Sequence, residues 1–144
     1  MEVKKTQIKK SKIALIQLRR AIQLYNSGDF ISSLTLAGAS NEIFGQFALL
    51  HQGYNTLDGE KHFWDGIAKI YRKSKPSKEK IKKVNNRIKN ELKHHDVIND
   101  EIVSADFQFE AECHINNAIR NYWIAFDHTP KDRIINRYVE KEWA

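Results

Sequence analysis

Apolar residues recur at intervals of three and four through most of the chain. No stretch alternates apolar and polar residues convincingly, and no hairpin dipeptide joins two alternating runs. The pattern predicts an all-α protein, an up-and-down helical bundle of four or more principal helices with additional short ones. A first helix is expected from about Thr6 to Asn26, carrying Ile8, Ile13, Leu15, Ile16, Leu18, Ile22 and Tyr25 and stopping at Asn26-Ser27-Gly28. Asp29 is placed to cap the next, over about residues 30 to 51. Here Leu36, Ile43, Phe47 and Leu50 lie opposite Leu34, Ala48 and Leu49, so the segment is apolar all round and belongs at the centre.

Along that central helix Leu34, Gly38, Asn41, Gly45 and Ala48 form a lane of small residues. Each glycine costs about 1 kcal/mol against alanine inside a helix, so close approach by a neighbouring helix backbone is expected in return. Glu42 borders the lane and must be paired, hydrogen-bonded or at a mouth to solvent. His51 to Glu60 has loop composition, and a short helix with Phe63, Trp64, Ile67 and Ile70 follows over about 60 to 73. A third long helix is expected from Ser77 to about His95, a fourth over roughly Ala105 to Asp127, and a last one over about 130 to 142. This last helix is expected to start with Thr129 as cap and Pro130 in its first turn.

Composition narrows the class. The 144 residues suit one domain, 1–144, with 41% hydrophobic and 29% charged residues and only two prolines, which argues for a folded core. One cysteine, Cys113, excludes an internal disulfide framework and favours a reducing, cytoplasmic setting, where the thiol is expected to be packed. With no apolar run of membrane-spanning length, neither a span nor a signal peptide is expected, and no membrane partner. Glycine-rich phosphate loops, His-Glu-x-x-His and nucleophile elbows are absent, so no cofactor is implied.

Charge is concentrated. The net charge of +6 gathers in two blocks: Lys4, Lys5, Lys9, Lys10, Lys12, Arg19 and Arg20, and then ten cations from Arg72 to Lys93 opposed only by Glu79 and Glu91. Polyanions become candidate partners, with Lys82, Lys83 and Lys93 among the cations of the second block.

On the expected helix 77 to 95, Ile81, Val84, Ile88 and Leu92 follow core spacing, and His95 falls on the same stripe. Arg87, Glu91 and His94 share one flank, Arg87 and His94 being two turns, roughly 10 Å, apart. The later helix repeats the arrangement with Glu110, His114, Asn117 and Asn121 beside its own apolar stripe. Two such ladders on facing helices would enclose a polar cleft from Glu42, Glu91, His95, Glu110 and His114. Glu91-x-x-His94 with Glu42 also raises a carboxylate-bridged di-metal bundle, although Glu110 to His114 has the wrong spacing for it.

The segments LYNSGDFISSLTLAGASNEIFG, KNELKHHD and FEAECHINNAIRNYW resemble the HEPN (higher eukaryotes and prokaryotes nucleotide-binding) superfamily of small helical bundles, over about residues 20 to 126. The resemblance implies a homodimer and, in nuclease members, an Arg and a His that cleave RNA across the dimer interface without metal. By that resemblance the His falls on His94 and the polar residue on Asn90, and Lys89 occupies the Arg position. Arg87 satisfies a looser spacing. Lysine lacks the bidentate fork of arginine, so the resemblance favours a non-catalytic or weakly catalytic protein associated with RNA or an antitoxin-like protein partner, with metal-independent endoribonuclease activity as the alternative.

Overall fold

Seven α-helices and no strand occupy the described residues, 2–95 and 101–144, of the computed structural model. In chain order these are α1 (Lys10–Asn26), α2 (Phe30–Gln52), α3 (Thr56–Ile70), α4 (Lys78–Asn85), α5 (Arg87–Glu91), α6 (Phe107–Phe126) and α7 (Arg133–Glu142). The all-α bundle is as expected. The loop expected between His95 and Ala105 falls partly on residues 96–100, including Asp96 of KNELKHHD, and these lie outside the described residues.

Helix boundaries follow local capping chemistry. α1 begins at Lys10 instead of Thr6 and has no side-chain cap, leaving Ile8 exposed. Lys4, Lys5, Lys9, Lys10 and Lys12 oppose the positive end of the helix dipole, which disfavours extending it backwards. The stop at Asn26 is as expected: Gly28 takes φ 87°, and the Asp29 carboxylate then accepts the Ser32 N–H at 3.1 Å to open α2. α3 starts earlier than composition suggests. Asn55 accepts the N–H groups of Leu57 and Asp58, and Asp58 accepts the N–H of Asn55, so HQGYNTLDGE contains a helix start instead of being all loop. At α7 the cap is Asp132, which accepts from Ile134 and Ile135. Thr129 and Pro130 lie before the helix, with Pro130 buried.

The α1–α2 seam is built on small residues. Ala14, Ala21 and Ala37 are fully buried, which brings the helices close enough for two buried serines of α2 to reach the α1 backbone. Ser33 Oγ donates to the Ala21 carbonyl at 2.7 Å and Ser40 Oγ to the Ala14 carbonyl at 2.8 Å. The acceptor moves back seven residues as the donor moves forward seven, so α1 and α2 run antiparallel in fixed register.

Against the adjacent face of α2 lies α6. Leu34 clusters with Ala111, Phe44 meets Tyr122 edge-on at 5.2 Å, and His51 Nδ1 lies 3.2 Å from the Ala125 carbonyl. The pairings advance together, so the two central helices run parallel and α3 to α5 form the return crossing. α7 is tied to α6 through Asn116 Oδ1, which accepts from Tyr138 Oη at 3.1 Å and Trp143 Nε1 at 2.9 Å.

Candidate functional site

The continuous helix expected over 77 to 95 is broken at Asn86, and its second part ends at Glu91. Two successive asparagines, residues of low helix propensity, sit at the break. The turn re-aims the chain: Ile81, Ile88 and Lys89 are buried, Leu92 packs at the edge of a core cluster, and Val84 is left exposed. The core stripe therefore does not run straight through to His95, which is exposed beyond α5, as is His94. Arg87 pairs with Glu91 at 3.2 Å in water, but His94 lies outside the helix, so the shared flank of Arg87, Glu91 and His94 does not exist.

Lys89 is the residue that sequence reasoning misplaced most. Only 1% exposed, it runs past Gly38 and pairs with Glu42, whose side chain remains 59% exposed. A methyl group built on Gly38 would overlap Lys89 Cδ and stand 3.0 Å from Cγ. The lane of small residues on α2 thus seats a lysine stem at Gly38 and the Asn121 and Asn55 amides at Gly45, instead of a neighbouring helix backbone. Burial works to raise the Glu42 carboxyl. The hydrogen bond and charge of Lys89, with Lys93 and Lys82 behind it, outweigh that and hold it below the ordinary carboxylate range. Lys89 is accordingly spent on the protein itself and is not available to grip a phosphate.

Beside this pair opens a polar cleft of about 590 Å³ walled by α2, α3, α4 and α6. Of the five residues proposed for a polar cleft, Glu42 and His114 line this one, whereas Glu91, His95 and Glu110 do not. Asparagine dominates the walls: Asn41, Asn55, Asn85, Asn86, Asn117 and Asn121. Asn121 is the keystone, its Oδ1 accepting the Thr56 N–H at 2.9 Å while Nδ2 donates to Asn41 Oδ1 at 2.8 Å and Thr56 Oγ1 at 3.1 Å. Asn85 Nδ2 donates to Glu60 at 2.6 Å and ties α4 to α3.

His114, 4% exposed, stands in the cleft wall. Desolvation by burial and the nearby Lys89 charge lower its pKa to about 4, against a hydrogen bond to the Asn85 backbone and the Glu42 charge, so the ring is neutral at pH 7. Glu110 is instead half-buried with its carboxyl raised by desolvation, an effect opposed by Arg87. Cys113 is half-buried with its thiol raised by burial, the condition of an unreactive thiol.

A second feature lies on the α3–α4 side. Lys78 is paired with Asp58, Arg87 with Glu91 and Lys89 with Glu42. Of the ten cations from 72 to 93, the remaining seven, Arg72, Lys73, Lys75, Lys80, Lys82, Lys83 and Lys93, are exposed and have no ion-pair partner among the described residues. Next to them α3 buries only Ala68 and leaves Phe63, Trp64, Ile70 and Tyr71 in water. The first basic block is elsewhere: α1 packs on the Ser33 and Ser40 side of α2, nearly opposite the Gly38 and Glu42 side that α5 covers.

Among the described residues no three His, Cys, Asp or Glu side chains converge to hold a metal ion, so the di-metal arrangement is not assembled there. No helix among them is long and apolar enough to cross a membrane. No family model matches the chain, and no curated protein or solved structure matches it either.

Proposed function

We propose that the protein is a non-catalytic helical module that binds single-stranded RNA through the surface formed by α3, α4 and the connection between them. The observation that carries this reading is the juxtaposition, on α3, α4 and the connection between them, of six exposed cations without an ion-pair partner among the described residues, Arg72, Lys73, Lys75, Lys80, Lys82 and Lys83, with four exposed apolar side chains, three of them aromatic. Single strands are held by that combination, in which lysines and arginines track the phosphates and aromatic faces stack on bases. Solvated lysines alone would not require Phe63, Trp64 and Tyr71 to stand in water beside them. The HEPN resemblance points to the same class of partner, and the surface chemistry stands without it.

Two features support a non-catalytic reading. Lys89 is withdrawn into the pair with Glu42, and among the described residues no ion pair or hydrogen bond fixes a cation beside His94. A nuclease would need a second copy of the molecule to supply one, as the homodimer in the HEPN resemblance would.

The test is fluorescence anisotropy with a labelled twelve-nucleotide RNA over a salt series. About four phosphate contacts would give a slope near −3 of log affinity against log salt. Lys82→Glu with Lys83→Glu should flatten that slope, and Tyr71→Ala or Trp64→Ala should weaken binding about tenfold through lost stacking. The reading fails if no RNA binds at low salt. Tight binding to a protein partner, unchanged by Lys82→Glu and Lys83→Glu, would likewise replace it.

A further inference from the structure

We infer that the asparagine-lined cleft receives the base of one nucleotide and reads its edge by hydrogen bonds, an inference that rests on the RNA-binding reading above and gives it base selectivity. The walls divide into amides that are spent and amides that are not. Asn121 is saturated by Thr56 and Asn41, Asn55 is used in the cap of α3 and toward the Gly45 carbonyl, and Asn85 holds Glu60. These bonds fix the frame. Gln46, Asn86 and Asn117 also line the cleft, and their side chains make no hydrogen bond among the described residues. Each primary amide presents a donor and an acceptor side by side, the complement of the adjacent donor and acceptor on a base edge.

Charge in the cleft is consistent with a neutral planar guest. His114 is uncharged at pH 7, the Glu42 charge is matched by Lys89, that of Lys78 by Asp58, and Glu60 is held by Asn85, while Glu79 and Lys82 set one charge of each sign in the lining. The apolar lining comes from Leu49, Leu57 and Gly45, with no Phe, Tyr or Trp, so a base held here is recognised by its edge more than by stacking. Lys82 lines the same cleft and belongs to the unpaired basic surface, which places a cation where the phosphate of a seated nucleotide would emerge. The volume, about 590 Å³, lies within the range of small-molecule sites. Stacking on exposed aromatics tolerates every base, so any base preference must come from a site of this kind.

The guest is either a base of a bound RNA strand or the base of a free mononucleotide, and two measurements separate these. The first is anisotropy with twelve-nucleotide A, C and U homopolymers. The wild type should favour one homopolymer by about tenfold, the discrimination one bidentate amide contact supplies. Asn117→Ala combined with Gln46→Ala should bring the three to within about twofold while leaving the salt slope unchanged, because neither substitution removes a cation. Asn117→Asp, which keeps the shape and replaces the donor by an acceptor, should change which homopolymer is favoured even if the double variant does not fold.

The second measurement follows the asparagine side-chain amide resonances while AMP, CMP and UMP are added. A shift confined to Asn117, without homopolymer preference, assigns the cleft to free nucleotides. Equal homopolymer affinities together with silent side-chain resonances overturn the inference. Salt-dependent RNA binding that persists in that case leaves the proposed function standing, whereas no RNA binding at low salt removes that reading whatever the mononucleotides do.

Discussion

Gly38→Ala is the substitution that most sharply tests the buried path of Lys89. In an ordinary helix interior the change stabilises by about 1 kcal/mol, because alanine loses less backbone freedom on folding. Here the added methyl would overlap Lys89 Cδ, in a groove that leaves Lys89 only 1% exposed. Forcing a methyl into a filled space costs about 1–3 kcal/mol, so the net effect should be a loss of up to about 2 kcal/mol. In a Lys89→Ala background the obstruction is gone, and Glu42, already 59% exposed, is left in water without a buried charge to satisfy. Gly38→Ala should there recover its gain of about 1 kcal/mol, a coupling of about 2 kcal/mol between the two positions. Urea unfolding followed by far-ultraviolet circular dichroism, with m unchanged across the four proteins, measures the cycle. If Gly38→Ala stabilises both backgrounds equally, the lysine stem does not lie in the groove and the account of the glycine lane is wrong.

Acid should weaken the fold through His114. Its pKa is about 4 in the native state against an ordinary 6.5, so between these values the unfolded chain takes up a proton that the native state refuses. Stability should therefore fall as pH drops from about 6.5 to about 4, by about 3 kcal/mol in all, and His114→Gln should remove that part of the profile in urea unfolding. Removing either seam hydroxyl, Ser33→Ala or Ser40→Ala, should cost about 1 kcal/mol in the same assay, and the double variant about 2 kcal/mol, since the sites are two turns apart. Breaking the Lys89 pair from the other side, with Glu42→Gln, should cost about 2 kcal/mol, below the range for a fully buried pair because Glu42 meets solvent. His94→Ala should leave RNA affinity and melting temperature unchanged, and a loss of affinity above about threefold would return that histidine to the interface.

Much of the scaffold was legible because it is decided within a few residues. Asp29 and Gly28 act on neighbours in the chain, and the all-apolar circumference of α2 is a property of its own sequence. The capping box at Asn55 and Asp58 was also present in the sequence, but the glycines and asparagines around it read as a loop. Of the cleft, Glu42 and His114 were visible as polar residues beside apolar stripes, and both line it. The six asparagines in its wall come from α2, α4, α6 and the caps of α3 and α4; of these, Asn117 and Asn121 are legible in the sequence as polar flank residues and Asn41 only as part of the small-residue lane.

Periodicity and local chemistry thus determined the helices, most of their caps, the central place of α2 and the concentration of positive charge from Arg72 to Lys93. Tertiary structure alone decided what those residues face. Lys89 is neutralised by a carboxylate 47 positions away, Thr56 is held by Asn121 across 65 positions, and the break at Asn86 turns Ile88 and Lys89 inward together. A residue's spacing along a helix specifies its direction from that helix. Whether that direction holds solvent, a glycine groove or an unpaired amide depends on elements the chain brings back from far away.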